Sequence, residues 1–388
     1  MGKSLYDNIA ESKEIFDKAA NILSDIDIKA LCFEGTEEDL KKTENTQPAL
    51  VTVGIAVYKA LESKNIKGDF FAGHSLGEIT ALCAADYITF EDAVKIARER
   101  GLLMAKAGSD APYGMAAVLG LNYEDVVKCM PENKEVVAAN YNLKDQIVIS
   151  GLSKAIEDIT PKLQVAGAKR VMPLKVSGAF HSPFMKPAAD SLKEFLENIK
   201  FNNSQNKVFS NVTAEIHSFD SIKENLYKQM FSTVKWFDSM INMQKLGITK
   251  IYECGPGKVL TGMSKKIAPD IEAVSVFIHR FYTKDEYRQN AQAVFEAAKI
   301  YLSECRNVIP DRVYSGVLKA CENEPEICFD GSAEDISAFM ANIASDCSKN
   351  YYSIKIQNGM VTESRFSISR RLLRGVECGG IYFDPLKK

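Results

Sequence analysis

Apolar residues recur at helical spacing through much of the stretch 5–267, and short apolar runs separate these segments. Residues 5–24 predict a helix, and a second helix is predicted to begin at Pro48, because proline is favoured in the first helical turn. The polar stretch 31–46 between them predicts a loop. Later helices are predicted over 75–85, 90–106, 184–199, 222–231, 237–246 and 257–267, and strands over 69–73, 207–211 and 250–254. Strands that alternate with helices indicate an α/β fold with a parallel sheet.

Between residues 109 and 176 the pattern changes, because strands become more frequent. The segments GMAAVLG, VVAANY, QIVISG and KRVMPLKV predict four strands, with two helices among them, in the order β-α-β-β-α-β. That order is typical of a ferredoxin-like unit. We therefore predict a ferredoxin-like subdomain, 109–176, inserted into a large α/β-hydrolase-like domain formed by 1–108 and 177–284.

The pattern changes again at about residue 285. A helix is predicted over 285–304, and two strand-like runs flank Asn358-Gly359, which suits a type I′ hairpin turn. These features predict a C-terminal α+β extension, 285–388, of unknown fold, added to the large domain. Five of the nine cysteines lie beyond residue 300. Their spacings match no zinc template, so we predict no metal site.

Composition narrows the class of protein. The chain has 388 residues, 46% of them hydrophobic, and a formal net charge of −3, so no basic field indicates nucleic acid. No apolar run is long enough to span a membrane, and the N-terminus has no apolar signal-peptide core. The odd number of cysteines without C-x-x-C spacing is typical of reduced thiols. We therefore expect a cytoplasmic monomer that binds neither nucleic acid nor membrane.

The segment GHSLG contains a G-x-S-x-G pattern centred on Ser75. It follows a predicted strand and opens a predicted helix, which is the geometry of a nucleophile elbow. The helix N-terminus would offer free N–H groups to a developing negative charge. A serine that only caps a buried helix would explain Ser75 but not Gly73 and Gly77. Ser75 is therefore a candidate nucleophile.

A nucleophilic serine needs a base, and the chain has four histidines, at positions 74, 181, 217 and 279. His74 is too close to Ser75 in sequence to turn back on it, and His217 is interpreted as an exposed residue after a strand. His181 lies where the predicted subdomain returns the chain to the large domain. Ligand sites concentrate in clefts between domains, which favours His181 as the base. The alternative is a loop histidine that caps the next helix.

Arg100 lies on the apolar face of the predicted helix 90–106, together with Ala93, Ile96 and Met104. A buried guanidinium is costly unless it is paired. Its partner could be a carboxylate of the protein, or a ligand carboxylate bound through two parallel hydrogen bonds.

These segments resemble malonyl-CoA:acyl-carrier-protein transacylases and the acyltransferase domains of polyketide synthases. The resemblance covers roughly residues 1–280, and the matching segments occur in the order of the family. They are TQPAL (46–50), GHSLGE (73–78), RERGLLM (98–104), GMAAVLG (114–120), GAFHSPFMKPAAD (178–190), SNVTAE (210–215), VKW (234–236) and ECGPGKVLTGMSKKI (253–267).

The resemblance implies a role for each matching residue. Ser75 would carry the acyl group as an ester, and His181 would act as general base and then general acid. A backbone carbonyl orients the histidine in this family, and the matching residue here is Gln229. Arg100 would bind the free carboxylate of malonate, and the N–H of Leu76 would be one oxyanion donor.

Other residues match positions near the site of the family. These are Gln47, Met104, Asn140, Asn142 and Gln146. The A-F-H at 179–181 resembles the version of this motif that selects malonyl, whereas the methylmalonyl version has a serine before the histidine. The resemblance implies that Phe180 narrows the pocket against a branched substrate, although one methyl group changes binding by only about 1–3 kcal/mol.

The reaction implied by the resemblance is a two-step transfer of malonyl from malonyl-CoA to an acyl carrier protein, in fatty acid or polyketide synthesis. No metal or organic cofactor is implied, since CoA is part of the substrate. One alternative is an acyl hydrolase on the same fold, against which Arg100 argues. A second is an inactive scaffold that docks a carrier protein. An α/β-hydrolase esterase would instead have an acid between serine and histidine in sequence, and no inserted subdomain.

The N-terminus departs from the family. Members begin with a buried strand and a Phe-Pro-Gly-Gln-Gly-x-Gln-like loop, whose first glutamine supplies a second oxyanion donor. The segment MGKSLYDN matches the family just after that loop. We therefore expect the natural protein to begin further upstream, with this strand and loop included.

Overall fold

The structure, a computed structural model, describes residues 1–174, 176 and 178–276, together with five strands between residues 313 and 378. The chain divides into two compact units, Met1–Ile278 and His279–Lys388. Every candidate site residue lies in the first unit.

The helices of the first unit are α1 (Lys3–Asn8), α2 (Ala10–Ile22), α3 (Ile28–Glu34), α4 (Glu37–Lys41), α5 (Thr43–Glu62), α6 (Gly77–Ala84), α7 (Phe90–Gly108), α8 (Tyr123–Cys129), α9 (Ser153–Val165), α10 (Lys186–Glu197), α11 (Ile222–Gln229), α12 (Trp236–Lys245) and α13 (Val259–Ile267). The helices predicted over 90–106, 184–199, 222–231, 237–246 and 257–267 are confirmed, with boundaries shifted by one or two residues. The helix predicted over 5–24 is interrupted at Ile9, whose backbone is extended. In the described part of the chain, no helix is long and apolar enough to cross a membrane.

The predictions of a loop over 31–46 and of a helix start at Pro48 are wrong. α5 begins at Thr43, so Pro48 lies in its second turn. A proline at this position cannot donate a hydrogen bond to the carbonyl of Glu44. The guanidinium of Arg98 on α7 donates to that carbonyl instead, at 2.7 Å. This side chain compensates for the missing backbone donor and lets the helix continue.

Two pairs of short parallel strands lie in the large domain. β1 (Phe70–Phe71) pairs with β6 (Lys207–Val208), and β7 (Lys250–Glu253) pairs with β8 (Glu272–Ser275). A buried apolar cluster that includes Trp236 packs against β1 and β7. The chain then turns from β1 into α6, and the candidate nucleophile lies in that turn.

The inserted segment forms a four-stranded antiparallel sheet from β2 (Tyr113–Leu119), β3 (Val136–Leu143), β4 (Gln146–Leu152) and β5 (Arg170–Pro173), in the order β3-β4-β2-β5. α8 follows β2 and α9 follows β4 in the chain. One apolar cluster joins the sheet to these two helices. The assignment of this unit to the ferredoxin-like class, and of the rest to the hydrolase-like class, stays a prediction.

The second unit contains an antiparallel sheet of β9 (Val313–Ala320), β10 (Pro325–Phe329), β11 (Asn350–Gln357), β12 (Met360–Ser367) and β13 (Val376–Cys378), in the order β10-β9-β11-β12-β13. β11 and β12 pair with Gln357 opposite Met360, as the predicted hairpin requires. The turn itself, at Asn358-Gly359, and the helix predicted over 285–304 lie outside the described residues.

Candidate active site

Ser75 lies in a strained turn between β1 and α6. Its φ is +52°, in the left-handed region that non-glycine residues rarely adopt. A Cβ on Gly73 would lie 1.9 Å from the carbonyl of Gly77, so only glycine fits there, whereas Gly77 has open space around its own Cβ position. The side chain of Asn211 accepts from the Ser75 N–H at 2.6 Å and donates to the Gly73 carbonyl at 2.7 Å. These two bonds hold the turn in place.

Ser75 and His181 form a hydrogen-bonded pair. The Ser75 Oγ lies 2.7 Å from His181 Nε2, and His181 Nδ1 lies 2.8 Å from the backbone oxygen of Gln229. Because a carbonyl oxygen can only accept, Nδ1 carries the proton and donates it there. Nε2 is then free to accept the serine proton. The arrangement is a serine–histidine pair in which a backbone carbonyl orients the histidine.

The surroundings of His181 keep its imidazole neutral. Burial, and then the positive charge of Arg100, lower the pKa of His181 to about 3, although the bond to the Gln229 carbonyl acts in the opposite direction. An unperturbed histidine titrates near 6.5. His181 is therefore able to act as a base throughout the physiological range.

We expect kcat/KM for acylation of Ser75 to be independent of pH between about 5 and 8, because this parameter reports the free enzyme, in which His181 is already neutral. Arg100→Gln is expected to move the acidic limb of the profile to higher pH, since the Arg100 charge lowers the pKa of His181. A pH series of single-turnover acylation measures both. A wild-type profile that declines around pH 6.5 would contradict the lowered pKa.

The same shift affects stability. The pKa of His181 is lower in the folded chain than in the unfolded chain, so the unfolded chain binds more protons below about pH 6.5. The contribution of this group to stability is complete above that pH. It is lost as the pH falls towards about 3.

Arg100 is the buried cation of the site. Its side chain on α7 is 2% exposed, which agrees with its place on the apolar stripe. It donates to Gln47 Oε1 at 2.7 Å, to Ser75 Oγ at 3.1 Å and to Gln229 Oε1 at 2.9 Å. All three acceptors are uncharged, and no carboxylate of residues 1–174 or 178–276 forms an ion pair with it. Burial lowers the pKa of Arg100 to about 10, against the nearby negative charge of Glu78, so the guanidinium remains charged.

Gln47 and Met104 support Arg100. The Gln47 amide presents its oxygen to the guanidinium, while its nitrogen donates to Thr43 Oγ1 at 2.7 Å and to the Met104 sulfur at 3.4 Å. These contacts fix which way the amide faces. Of the two residues, which the family resemblance implies, Gln47 therefore contacts the guanidinium directly and Met104 contacts Gln47.

Of the three site residues predicted on the inserted sheet, Asn140, Asn142 and Gln146, Asn142 alone makes a described side-chain hydrogen bond to the Ser75 turn. Asn142 is brought to the turn, because its Oδ1 lies 2.8 Å from Nε2 of the neighbouring His74. Asn140 is buried, and its backbone bridges to Val234. Gln146 pairs through its backbone in β4. Within the described ranges, no side-chain hydrogen bond joins Asn140 or Gln146 to the serine–histidine pair.

Phe180 immediately precedes His181 and packs against the inserted sheet. Its neighbours are Met115, Ala139 and Val148, on the face of the sheet opposite α9. The aromatic ring thereby joins the histidine loop to the inserted unit. This contact holds Phe180 next to the base.

Leu76 follows the nucleophile at the entrance to α6. Its backbone N–H has no acceptor among the residues that the structure describes. An unpaired N–H at the start of a helix is a ready donor to an oxyanion. It lies one residue after Ser75, where the carbonyl oxygen of an acyl group attacked by that serine would develop negative charge.

The sequence interpretation missed the roles of two buried polar residues near the turn, Glu78 and His217. Glu78 is fully buried, and its carboxylate lies 2.7 Å from His217 Nε2. The same carboxylate accepts hydrogen bonds from the Asn211 N–H at 2.9 Å and from Gln229 Nε2 at 2.8 Å. The interpretation of His217 as exposed is wrong, since it is 7% exposed and bonded on both ring nitrogens. The available signal was an acidic residue opening the otherwise apolar helix α6.

The family model described as acyl transferase domain matches residues 1–252. The chain is 41% identical over 281 residues to the malonyl CoA-acyl carrier protein transacylase of Bacillus subtilis (strain 168), covering 71% of this chain and 88% of the relative. The chain belongs to the malonyl CoA-acyl carrier protein transacylase family. The Staphylococcus aureus (strain MRSA252) transacylase is also 41% identical over 281 residues, covering 71% and 90%.

Solved structures of transacylases share this fold of mixed helices and sheets. The malonyl CoA-acyl carrier protein transacylase of Clostridium perfringens is 36% identical with a TM-score of 0.70, covering 76% of this chain and 94% of the other. A malonyl-transacylase solved in complex with a type II PKS acyl-carrier protein is 34% identical with a TM-score of 0.69, covering 72% and 92%.

Proposed function

We propose that the protein transfers a malonyl group from malonyl-CoA to the phosphopantetheine thiol of an acyl carrier protein, through an ester on Ser75. Membership of the transacylase family supports the reaction class. The choice of acyl group rests on Arg100, a buried cation 3.1 Å from the Ser75 Oγ, whose hydrogen-bond partners among the described residues are all uncharged. The transfer would feed fatty acid or polyketide synthesis.

In the first half-reaction, His181 Nε2 takes the hydroxyl proton of Ser75 while the Oγ attacks the thioester carbonyl. The Leu76 N–H donates to the resulting oxyanion, and the Gln229 carbonyl stabilises the imidazolium through Nδ1–H. Collapse of the intermediate breaks the C–S bond. His181 then gives its proton to the departing thiolate, so CoA leaves as a thiol.

The second half-reaction reverses these roles. His181 takes the proton of the carrier-protein thiol, the thiolate attacks the ester, and the proton returns to the Ser75 Oγ. No step of this serine–histidine chemistry needs a metal ion or an organic cofactor. We propose a cytoplasmic monomer that binds malonyl-CoA and acyl carrier protein, and neither nucleic acid nor membrane.

Arg100 also limits the length of the acyl group. In a malonyl ester a single methylene separates the ester carbonyl from the free carboxylate, so that carboxylate must lie close to the Ser75 Oγ. The guanidinium lies 3.1 Å from that oxygen, a short distance that suits a three-carbon diacid. Phe180, which precedes His181 in sequence and packs against the inserted sheet, adds bulk on the histidine loop and would disfavour a branched acyl group.

Succinyl-CoA, with one more methylene, is therefore expected to acylate Ser75 about 10- to 200-fold more slowly than malonyl-CoA, the usual discrimination for one methylene. Intact-protein mass spectrometry of timed, quenched reactions measures both rates. Acetyl-CoA serves as the control for loss of the carboxylate. Equal rates with malonyl-CoA and succinyl-CoA would contradict a site matched to malonyl by the position of Arg100.

A further inference from the structure

Two opposite charges are buried near the nucleophile without touching each other. The side-chain amide of Gln229 lies between them: its Oε1 accepts from Arg100 at 2.9 Å and its Nε2 donates to Glu78 at 2.8 Å. Arg100 is 2% exposed and Glu78 is fully buried. Glu78 thus compensates the buried guanidinium at a distance of one amide group.

This offset keeps the carboxylate of Glu78 off the guanidinium, whose bonds are to the neutral side chains of Gln47, Ser75 and Gln229. A carboxylate bonded directly to the guanidinium would occupy the parallel donors that a malonyl carboxylate needs. The uncharged amide oxygen of Gln229 accepts one N–H of the guanidinium, and it repels an incoming carboxylate far less than a carboxylate of the protein would. The spacing of the two charges therefore favours a binding site over a structural salt bridge.

The Gln229 amide works in only one orientation. Its Nε2 donates both to Glu78 and to the backbone oxygen of Ser75, at 2.8 and 2.9 Å. If the amide rotated by half a turn, its NH₂ would face the guanidinium and its oxygen would face the carboxylate. The Glu78 carboxylate and the Ser75 carbonyl both accept from Nε2, and together they keep the amide oxygen directed at Arg100.

His217 holds the Glu78 carboxylate in place. Asn225 Nδ2 donates to His217 Nδ1 at 3.2 Å, so the ring proton is on Nε2 and is donated to Glu78 Oε1 at 2.7 Å. Removal of that donor would leave one oxygen of a buried carboxylate unpaired, which is costly. Rotation of the Glu78 side chain would relieve this cost. It would also remove one of the two hydrogen bonds that orient the Gln229 amide and leave the bond to the Ser75 carbonyl.

We infer that His217 and Glu78 are positioning residues that act through Gln229 to hold Arg100 ready for the malonyl carboxylate. The inference rests on the proposed function. His217 makes no hydrogen bond to Ser75, His181 or Arg100 among the described contacts, so its effect on substrate choice passes through Glu78 and Gln229.

The test compares two substitutions of His217. His217→Leu removes the N–H donor, whereas His217→Gln keeps a donor at similar reach. kcat and KM for acylation of Ser75 are measured with malonyl-CoA and with acetyl-CoA. For His217→Leu we expect a higher KM for malonyl-CoA and a fall of roughly tenfold in the malonyl-to-acetyl ratio of kcat/KM. The reason is that the hydrogen bonds between Arg100 and the malonyl carboxylate would be weaker. His217→Gln should keep a ratio close to that of the wild type.

A parallel loss with both esters in His217→Leu would overturn the inference, because it would make His217 a purely structural residue. So would a His217→Gln protein that behaves like His217→Leu. If His217→Leu does not fold, Glu78→Asp replaces it: the charge remains, but the carboxylate is withdrawn from Gln229, and the same selective loss is expected. A wild-type protein that loads no malonyl would instead refute the proposed function.

Discussion

Ser75→Ala is expected to abolish acylation by malonyl-CoA, because the variant has no oxygen to form the ester. In serine enzymes, loss of the nucleophile lowers kcat by roughly 10⁶-fold. Timed incubation with labelled malonyl-CoA, followed by intact-protein mass spectrometry, measures the loss. Acylation that persists in Ser75→Ala would mean that another residue carries the acyl group.

The variant should keep its fold, which makes the loss interpretable. The bonds from Asn211 to the turn use backbone groups of Ser75 and Gly73, so alanine preserves them. Ser75→Gly is a useful second variant, since glycine adopts a φ of +52° without strain. Both variants should unfold at temperatures close to that of the wild type and should both fail to load.

Arg100→Gln is expected to separate malonyl loading from acetyl loading. Hydrogen bonds to a charged group contribute about 1.5–3 kcal/mol, so malonyl loading should fall about 10- to 150-fold. Acetyl loading should hold or rise, because the acetyl group has no carboxylate to bind. The ratio of kcat/KM for the two CoA esters is the measurement.

Lys95→Gln is the matched control for this change. Lys95 lies on the same helix, α7, and its partner is the exposed Glu91. The control removes one positive charge without touching the site and should leave the ratio unchanged. Equal losses with both esters in Arg100→Gln would show that the guanidinium only supports the fold.

Local patterns were enough to predict part of the site. The glycines around Ser75 and the apolar stripe around Arg100 can be recognised in short stretches of sequence, because each reflects the geometry of a single turn or helix face. His181 required its position between two predicted domains and the family resemblance. Its bond to the Gln229 carbonyl spans 48 residues of sequence, and no local pattern reports such a contact.

The features of the fold and site that were not predicted depend on contacts between residues far apart in sequence. Glu78 and His217 are 139 residues apart, and each alone resembles an exposed polar residue. The start of α5 was misplaced for the same reason, since the partner of the Glu44 carbonyl is Arg98, on another helix. Tertiary hydrogen bonds override the local preferences of proline and of charged side chains in both places.

A chase of the acyl-enzyme tests the central claim most directly. The wild-type protein is loaded with labelled malonyl-CoA, freed of CoA, and mapped by peptide mass spectrometry before acyl carrier protein bearing its phosphopantetheine thiol is added. We predict that the malonyl ester lies on Ser75 and that the label moves to the carrier-protein thiol much faster than it appears as free malonate. Label on another residue, or release as free malonate at the same rate with and without carrier protein, would contradict the account.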